Sequence, residues 1–258
     1  MIKAVLFDFH NTLVTCDGWL DLEIHSLPAQ ALAHLAARGD VAGPQTVSPA
    51  QTETATCLFH DLRQRARESG VEVSAIEGVR TVLELMDFAP PADAIEAVVV
   101  DLERDCLLEV APVPGALDTL QRLRDAGYSL AVVSSAGWPP FVEMALEAQG
   151  MRPFFTEILT SAGEGIYKSD PEIFRRAVSR LGFQPAEAVH VGDHARYDVQ
   201  TARTAGLHTI WFAAHARSTA HLHNADWDAL VQQGSQADAV IDALPDLLPI
   251  LAAGLQPQ

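Results

Sequence analysis

Cysteine is scarce in this chain of 258 residues, and its three copies, Cys16, Cys57 and Cys106, lie far apart. An odd number of widely spaced cysteines fits neither a disulfide framework nor the paired spacing of a structural metal site. We therefore expect three reduced thiols with structural roles.

Positive charge is also scarce, because 17 Lys and Arg residues face 34 Asp and Glu residues and the formal net charge is −17. Proteins that bind nucleic acid or anionic membrane surfaces depend on basic patches, so this balance argues against both kinds of partner. It also disfavours large polyanionic substrates. The composition does not distinguish a monomer from a homodimer.

Long apolar runs are absent as well, since no stretch is long enough to cross a bilayer. Residues 1–3 lead directly into a strand pattern rather than into a signal peptide. We therefore expect a cytoplasmic protein. The apolar content of 48% is sufficient for one large core and an additional lobe.

The first strand pattern ends in an aspartate. Residues 5–7 are apolar, Asp8 follows them, and a polar turn comes next with His10, Asn11 and Thr12. In an open α/β sheet, reactive groups gather at the carboxyl ends of the strands. Taken alone, Asp8 is better explained as a turn residue, so its interpretation depends on the rest of the chain.

Three later segments supply the groups that a reactive Asp8 would need. Residues 128–135 form a strand pattern that ends in Ser134 and Ser135. Residues 166–174 place Lys168, one of only two lysines in the chain, just before a helix start. Residues 188–198 form another strand pattern that ends in Asp193, with Asp198 five residues later.

These side chains suit phosphoryl transfer. A carboxylate such as Asp8 can attack phosphorus and form an acyl phosphate that water then hydrolyses. The negative charges call for a hard cation, and Mg²⁺ takes few protein carboxylates besides waters and phosphate oxygens. Asp8 and Asp193 would bind it, with Asp198 as a third or outer acid. Ser134, with Ser135 beside it, and Lys168 would stabilise the phosphoryl oxygens.

In this order the four segments resemble the haloacid dehalogenase superfamily, in particular its phosphatase-like subfamily I with a helical C1-type cap. Residues 111–116 and 237–242 extend the resemblance over nearly the whole chain. The resemblance implies a Mg²⁺-dependent phosphomonoesterase that acts on a small phosphorylated metabolite through an aspartyl phosphate on Asp8. It assigns to the serines, the lysine and the later aspartates the roles given above.

His10 departs from the family pattern, in which a second aspartate lies two residues after the nucleophile and transfers protons. The metal site is unaffected, because the family uses only the backbone carbonyl of this residue as a ligand. An imidazole is a suitable acid and base near neutral pH, and a neighbouring carboxylate would favour its protonated form. We expect Thr12, grouped with the phosphate-binding residues, to orient Asp8 through its hydroxyl.

The fold class is α/β, with a Rossmann-like parallel-sheet core formed by residues 1–14 and 111–258 and an inserted helical cap formed by residues 15–110. Strand and helix patterns alternate after residue 110, with strands near 128–134, 156–160, 188–192 and 207–212. The inserted segment has helical patterns near 28–38, 49–68, 74–87 and 92–109. Ser48 and Ser74 mark helix starts, the latter as a capping box with Glu77.

Two other functions stay open. A 2-haloacid dehalogenase would also lack the second aspartate, although such relatives alter the Gly-Asp motif that is intact here as Gly192 and Asp193. The other open function is that of a catalytically impaired relative that binds a phosphorylated ligand or a protein. The resemblance argues against a phosphonate-cleaving enzyme, because the predicted cap contains no lysine, and against a mutase, because of His10.

Several residues are better explained without a function. Arg63, Arg65 and Arg67 alternate along one predicted helix, so they cannot all face the same way, and at most one is expected to meet an anionic substrate. A loop in solvent explains the histidines at 215, 221 and 223 better than a metal site does.

Overall fold

A computed structural model describes residues 1–41, 46–219 and 236–255. Within them lies a six-stranded parallel sheet in the order β5-β4-β1-β6-β7-β8. Its strands are β1 (Ala4–Phe7), β4 (Ser129–Ser134), β5 (Glu157–Thr160), β6 (Ala188–Gly192), β7 (His208–Phe212) and β8 (Ala239–Ile241), and a separate antiparallel pair joins β2 (Val14–Thr15) to β3 (Ala111–Pro112). The α/β class and the parallel core predicted from the sequence are confirmed.

The central strand β1 is buried on both faces, as expected of a parallel sheet covered by helices. Its last residue, Phe7, is in register with Val132 of β4 and Val191 of β6. The carboxyl ends of these three strands therefore lie side by side. The register places the residues that follow them along one edge of the sheet.

Between β2 and β3 the chain is helical, with one π-helical turn at Leu22–Ser26. The helices are α1 (Asp17–Asp21), α2 (Leu27–Arg38), α3 (Pro49–Ser69), α4 (Ala75–Leu85) and α5 (Ala92–Cys106), followed by a 3₁₀ turn at Leu107–Glu109. The last four agree with the predicted helices to within three residues. The helix α1 and the π-helical turn were not predicted.

Helix starts in this segment differ in detail from the predicted capping. Ser48 forms the complete capping box, because its hydroxyl accepts from the Gln51 N–H while the Gln51 side chain accepts from the Ser48 N–H. Ser74 accepts from the Glu77 N–H, but the Glu77 carboxylate binds Arg80 instead of returning to the cap. The predicted capping box at Ser74 is therefore only half formed.

The remaining helices cover the two faces of the sheet. They are α6 (Ala116–Asp125), α7 (Pro139–Ala148), α8 (Ser161–Glu164), α9 (Glu172–Arg180), α10 (Thr201–Thr204), α11 (Ala214–Thr219) and α12 (Leu247–Ala253). The helix predicted near 195–205 begins as a π-helical turn, Ala195–Gln200, before it continues as α10. Short 3₁₀ turns occur at Arg152–Phe154, Pro185–Glu187 and Leu244–Asp246.

One apolar cluster joins the sheet to the inserted helices. It contains Val5 and Phe7 of the central strand together with Leu32, Val79 and Val98 of α2, α4 and α5, all almost completely buried. Burying a side chain of this size stabilises the fold by roughly 1.5–3 kcal/mol. The inserted helices are thus packed against the core that carries Asp8.

The described residues contain no helix that is both long and apolar enough to span a membrane. His221 and His223 lie outside the described residues. The three cysteines are free thiols, and Cys16 donates a hydrogen bond from its sulfur to the Cys106 carbonyl at 3.2 Å.

Candidate active site

Asp8 directly follows β1 at the carboxyl edge of the sheet, where its N–H donates to the Val191 carbonyl at 2.8 Å. That bond continues the ladder to β6 and fixes the backbone beneath the side chain. Burial and, to a smaller extent, repulsion from Asp198 raise the pKa of Asp8 to about 6, although Lys168 opposes the change. The carboxylate is therefore held at a defined position and is a stronger base than an ordinary aspartate.

Lys168 is the counter-charge of this site. Its side chain is only 2% exposed, and its ammonium lies 2.6 Å from Oδ1 of Asp8 and 2.6 Å from Oδ1 of Asp198. Burial would lower the pKa of Lys168, but the two carboxylates outweigh it and raise the pKa. The lysine is thus a permanent positive charge at the end of β1.

Asp198 is saturated by donors. Besides Lys168, its Oδ1 contacts Nε2 of His190 at 3.0 Å, and its Oδ2 accepts from the His194 N–H at 2.8 Å. Although burial acts in the opposite direction, Lys168 and His190 hold the pKa of Asp198 below its usual range. Burial also lowers the pKa of His190 to about 4, so this imidazole is neutral at pH 7 and donates to the carboxylate.

Asp193 is the least compensated of the acids. Burial and repulsion from Asp8 and Asp198 raise the pKa of Asp193 well above its usual range. Its backbone is held at the mouth of β6, because the Trp211 indole N–H donates to the Asp193 carbonyl at 2.8 Å. Lys168 and the Asn11 side chain act against this rise in pKa.

The three carboxylates form a candidate metal site, since one ligand oxygen of each lies within 4.8 Å of the others. Two of these acids have raised pKa values because their negative charges are buried together, and a single lysine lies among them. A divalent cation would relieve that repulsion. An all-oxygen donor set with few carboxylates fits Mg²⁺.

Ser134 is the last residue of β4 and Ser135 follows it, on the side of β1 opposite to β6. Ser134 is 2% exposed, and both serines line the same cavity as Asp8 and Lys168. The two serines therefore lie beside Asp8, and their role toward a phosphoryl group stays a prediction. Thr12 does not behave as predicted: its hydroxyl is buried without a hydrogen-bond partner among the described residues, so it does not bind Asp8.

His10 also lines the cavity, and it is 8% exposed. Burial lowers the pKa of His10 to about 4, although Asp17, whose Oδ1 is 3.9 Å from Nε2, acts in the opposite direction. The expectation that a neighbouring carboxylate would favour the imidazolium is wrong, because burial outweighs a single exposed acid. At neutral pH His10 is a free base whose Nε2 has no hydrogen-bond partner among the described residues.

The cavity above Asp8 has a volume of about 390 Å³. Its walls come from both the sheet edge and the inserted helices. The residues from α1, the π-helical turn and α3 are Trp19, Leu20, Glu23, Ile24, Arg63 and Arg67, and those from the core include Tyr167, His194 and Tyr197. A space of this size fits a small metabolite.

Glu23 connects the inserted helices to the side of the cavity that Ser134 and Ser135 line. Its carboxylate accepts from the Gly137 N–H at 3.0 Å and from the Trp138 N–H at 3.2 Å, just beyond Ser134 and Ser135. A Cβ atom on residue 137 would lie 2.9 Å from Oε2 of Glu23, so the glycine permits this approach. No local pattern links residues 23 and 137, and the sequence analysis missed this pair.

Helix α3 is fixed to the segment that carries Lys168. The Tyr167 N–H donates to the Gly70 carbonyl at 2.8 Å, and the Ser169 hydroxyl donates to the Arg67 carbonyl at 2.9 Å. The end of this helix and Lys168 therefore share a common backbone support.

Comparisons with known proteins agree with this geometry. The haloacid dehalogenase-like hydrolase family matches residues 2–206, and a HAD-hydrolase-like family matches residues 166–247. The glyceraldehyde 3-phosphate phosphatase of Methanopyrus kandleri is 30% identical over 217 residues, which cover 81% of this chain and 83% of that protein. The enzyme of the same name from Methanothermobacter thermautotrophicus is 27% identical and covers 97% of this chain and 100% of that protein.

Solved structures show the same fold. A 2-haloacid dehalogenase from Pseudomonas syringae is 25% identical, with a TM-score of 0.67 and coverage of 98% of this chain and 99% of that one. A HAD phosphatase from Thermococcus onnurineus, at 22% identity and a TM-score of 0.62, covers 99% of this chain and 100% of that one and supports the fold.

Proposed function

The chain belongs to the haloacid dehalogenase-like hydrolase family, and we propose that it is a Mg²⁺-dependent phosphomonoesterase that hydrolyses a small phosphorylated metabolite through Asp8. The observation that carries the proposal is the cluster of Asp8, Asp193 and Asp198 around Lys168 at the edge of the sheet. Curated relatives named as phosphatases support it.

In this proposal Asp8 is the nucleophile. Its oxygen attacks phosphorus, the bond to the leaving oxygen breaks, and an acyl phosphate forms on Asp8. Lys168 and the Ser134 hydroxyl donate to the phosphoryl oxygens as charge builds on them. Asp198 keeps Lys168 charged and in place, so we assign it a positioning role with, at most, an outer role toward the metal.

Asp8 and Asp193, with the backbone carbonyl of His10, would hold the metal. Mg²⁺ when bound would neutralise the phosphate and the neighbouring carboxylates. Water in the cavity would weaken these charge interactions, and the inserted helices would exclude it. For that reason we propose residues 15–110 as a cap over a core made by residues 1–14 and 111–258.

We propose His10 as the proton carrier. Its lowered pKa suits the second step, in which the neutral imidazole accepts a proton from the water that attacks the acyl phosphate. Protonation of an alkoxide leaving group requires the imidazolium, whose population rises as the pH falls. Alkyl phosphates should therefore be hydrolysed best at acidic pH, whereas p-nitrophenyl phosphate, whose leaving group needs no proton, should depend less on pH.

The test is hydrolysis of p-nitrophenyl phosphate and of an alkyl phosphate between pH 5 and 9, with Mg²⁺ or with EDTA. We expect activity with Mg²⁺ that EDTA and Asp8→Asn both abolish, and a loss in His10→Gln that is greater for the alkyl phosphate. Activity toward 2-chloropropionate that persists in EDTA would instead favour dehalogenation. Ligand binding without turnover would favour an impaired relative. A cytoplasmic location and the absence of nucleic-acid partners stay predictions, and the oligomeric state stays open.

A further inference from the structure

Two arginines of helix α3 face the cavity above Asp8. Arg63 and Arg67 lie one helical turn apart, so both project from the same face of the helix, and both line the cavity. Arg65 lies between them in sequence and is exposed on another face. The chain thus places two guanidinium groups on the substrate side of the cavity roof.

Arg63 is almost fully buried. Its Nη1 donates to Oε1 of Glu72 at 2.5 Å, and its guanidinium carbon lies 5.4 Å from the centre of the Tyr167 ring. Its Nε has no hydrogen-bond partner among the described residues. A buried N–H on a charged group without an acceptor is costly, so an acceptor supplied by a ligand would be favourable.

Arg67 has no carboxylate within ion-pair distance among the described residues. Its side-chain contacts are long ones to neutral groups, 3.4 Å from Nε to the Tyr167 hydroxyl and 3.4 Å from Nη1 to the Gln64 side-chain oxygen. Glu72 pairs with Arg63, and the Glu23 carboxylate is bound by the N–H groups of Gly137 and Trp138. Arg67 is therefore the uncompensated positive charge of this wall.

We propose that Arg67, with Arg63 behind it, binds a carboxylate of the substrate, which is then a small phosphorylated carboxylic acid. This inference rests on the proposed phosphatase function and names its substrate class. One uncompensated positive charge matches a singly charged carboxylate better than a second phosphate. The cavity of about 390 Å³ limits the carbon chain between the two anionic groups to a few atoms.

The proposal distinguishes the substrate of this chain from glyceraldehyde 3-phosphate, the substrate in the names of the two relatives described above. Glyceraldehyde 3-phosphate ends in an aldehyde, which has no charge for Arg67 to bind. The corresponding acid, 3-phosphoglycerate, has the same carbon skeleton and the same phosphate. Glycerol 3-phosphate replaces the same group by an alcohol.

The test compares kcat/KM for these three phosphomonoesters at pH 7.5 with Mg²⁺. We expect the wild type to prefer 3-phosphoglycerate by about tenfold or more, the usual value of one charge-assisted hydrogen bond. Arg67→Met should lower kcat/KM for the acid by about tenfold and for the other two by less than about threefold. Arg65→Met, the control on the same helix, should leave all three rates unchanged.

Arg63 needs a paired change, because removing it alone would leave Glu72 buried without a partner. The double variant Arg63→Met with Glu72→Gln should also lose activity selectively on the acid. Equal losses on all three substrates would overturn the proposal and leave the arginines with a structural role. A wild type that hydrolyses all three equally would overturn it as well, whereas a wild type inactive on these and on p-nitrophenyl phosphate would overturn the proposed function itself.

Discussion

Replacement of Gly192 by alanine should disable the site. An added Cβ would lie 2.2 Å from Cγ and 2.4 Å from Oδ2 of Asp198, far inside van der Waals contact. Asp198 cannot move aside freely, because Lys168, His190 and the His194 N–H all donate to it. The methyl group must therefore displace either the strand end or a carboxylate that three donors hold.

The cost follows from the bonds that a displacement of about 1 Å would break. Hydrogen bonds to a charged group contribute about 1.5–3 kcal/mol each, so losing two of the three lowers the free energy of unfolding by about 3–6 kcal/mol. For a chain of this length that corresponds to a fall in Tm of roughly 6–24 °C. Because Asp198 positions Lys168, phosphatase activity should fall by at least about a hundredfold in any folded fraction.

Calorimetry and p-nitrophenyl phosphate hydrolysis would measure the two effects. Gly18→Ala is the matched control, because its added Cβ meets only the exposed carboxylate of Glu109, which can swing away. A second comparison places Gly192→Ala in an Asp198→Gly background, where the added cost should largely vanish. A Gly192→Ala protein with the stability and activity of the wild type would refute the reasoning, since the carboxylate would then not be fixed.

Two further predictions concern buried charges. Lys168→Met should lower kcat by about 10²–10³, because the phosphoryl oxygens lose their positively charged donor. It should also lower the free energy of unfolding by about 3–5 kcal/mol, because buried carboxylates are left unpaired. Single-turnover kinetics and denaturant titration would measure the two effects, and a variant as active as the wild type would contradict the proposed role of the lysine. Burial raises the pKa of Glu103 to about 10, with Glu23 nearby, so the folded protein keeps this acid neutral while the unfolded chain ionises above its ordinary value of 4.5. Stability due to this group is therefore complete below about pH 4.5 and is lost progressively as the pH rises toward 10. Glu103→Gln, which cannot ionise, should be more stable than the wild type at pH 9 but not at pH 4; equal stabilities at both pH values would show that the acid is ionised in the folded protein.

The sequence predicted the parts of the molecule that depend on local pattern. Alternating apolar and polar segments located the parallel strands and four of the five inserted helices, because burial imposes periodicity along each element. The four motifs predicted membership in the superfamily, which is confirmed. The subfamily, the cap type, the domain boundaries and the roles of the site residues stay predictions.

The sequence failed where a property depends on residues far apart in the chain. The pKa of His10 depends on how deeply Trp19 and its neighbours bury it, which no local pattern reports. Arg63 looked like one of several surface charges, and only the fold brings Glu72 and Tyr167 around it. A helical wheel of α3 could have singled out Arg63 and Arg67, since a spacing of four residues places them on one face.

In the proposed mechanism, the backbone bonds between the end of α3 and the segment around Lys168 link substrate choice to chemical rate. The side chain of Arg67 lines the cavity, and its carbonyl accepts a hydrogen bond from the Ser169 hydroxyl. Just after α3, Val71 forms an antiparallel β-bridge with Ile166, two residues before Lys168. A mutation that tilts the helix to admit a new substrate would also move the lysine that stabilises the reaction. Laboratory evolution toward new substrates should therefore yield variants that accept more substrates but have a lower kcat, until compensating substitutions arise in the segment around Lys168.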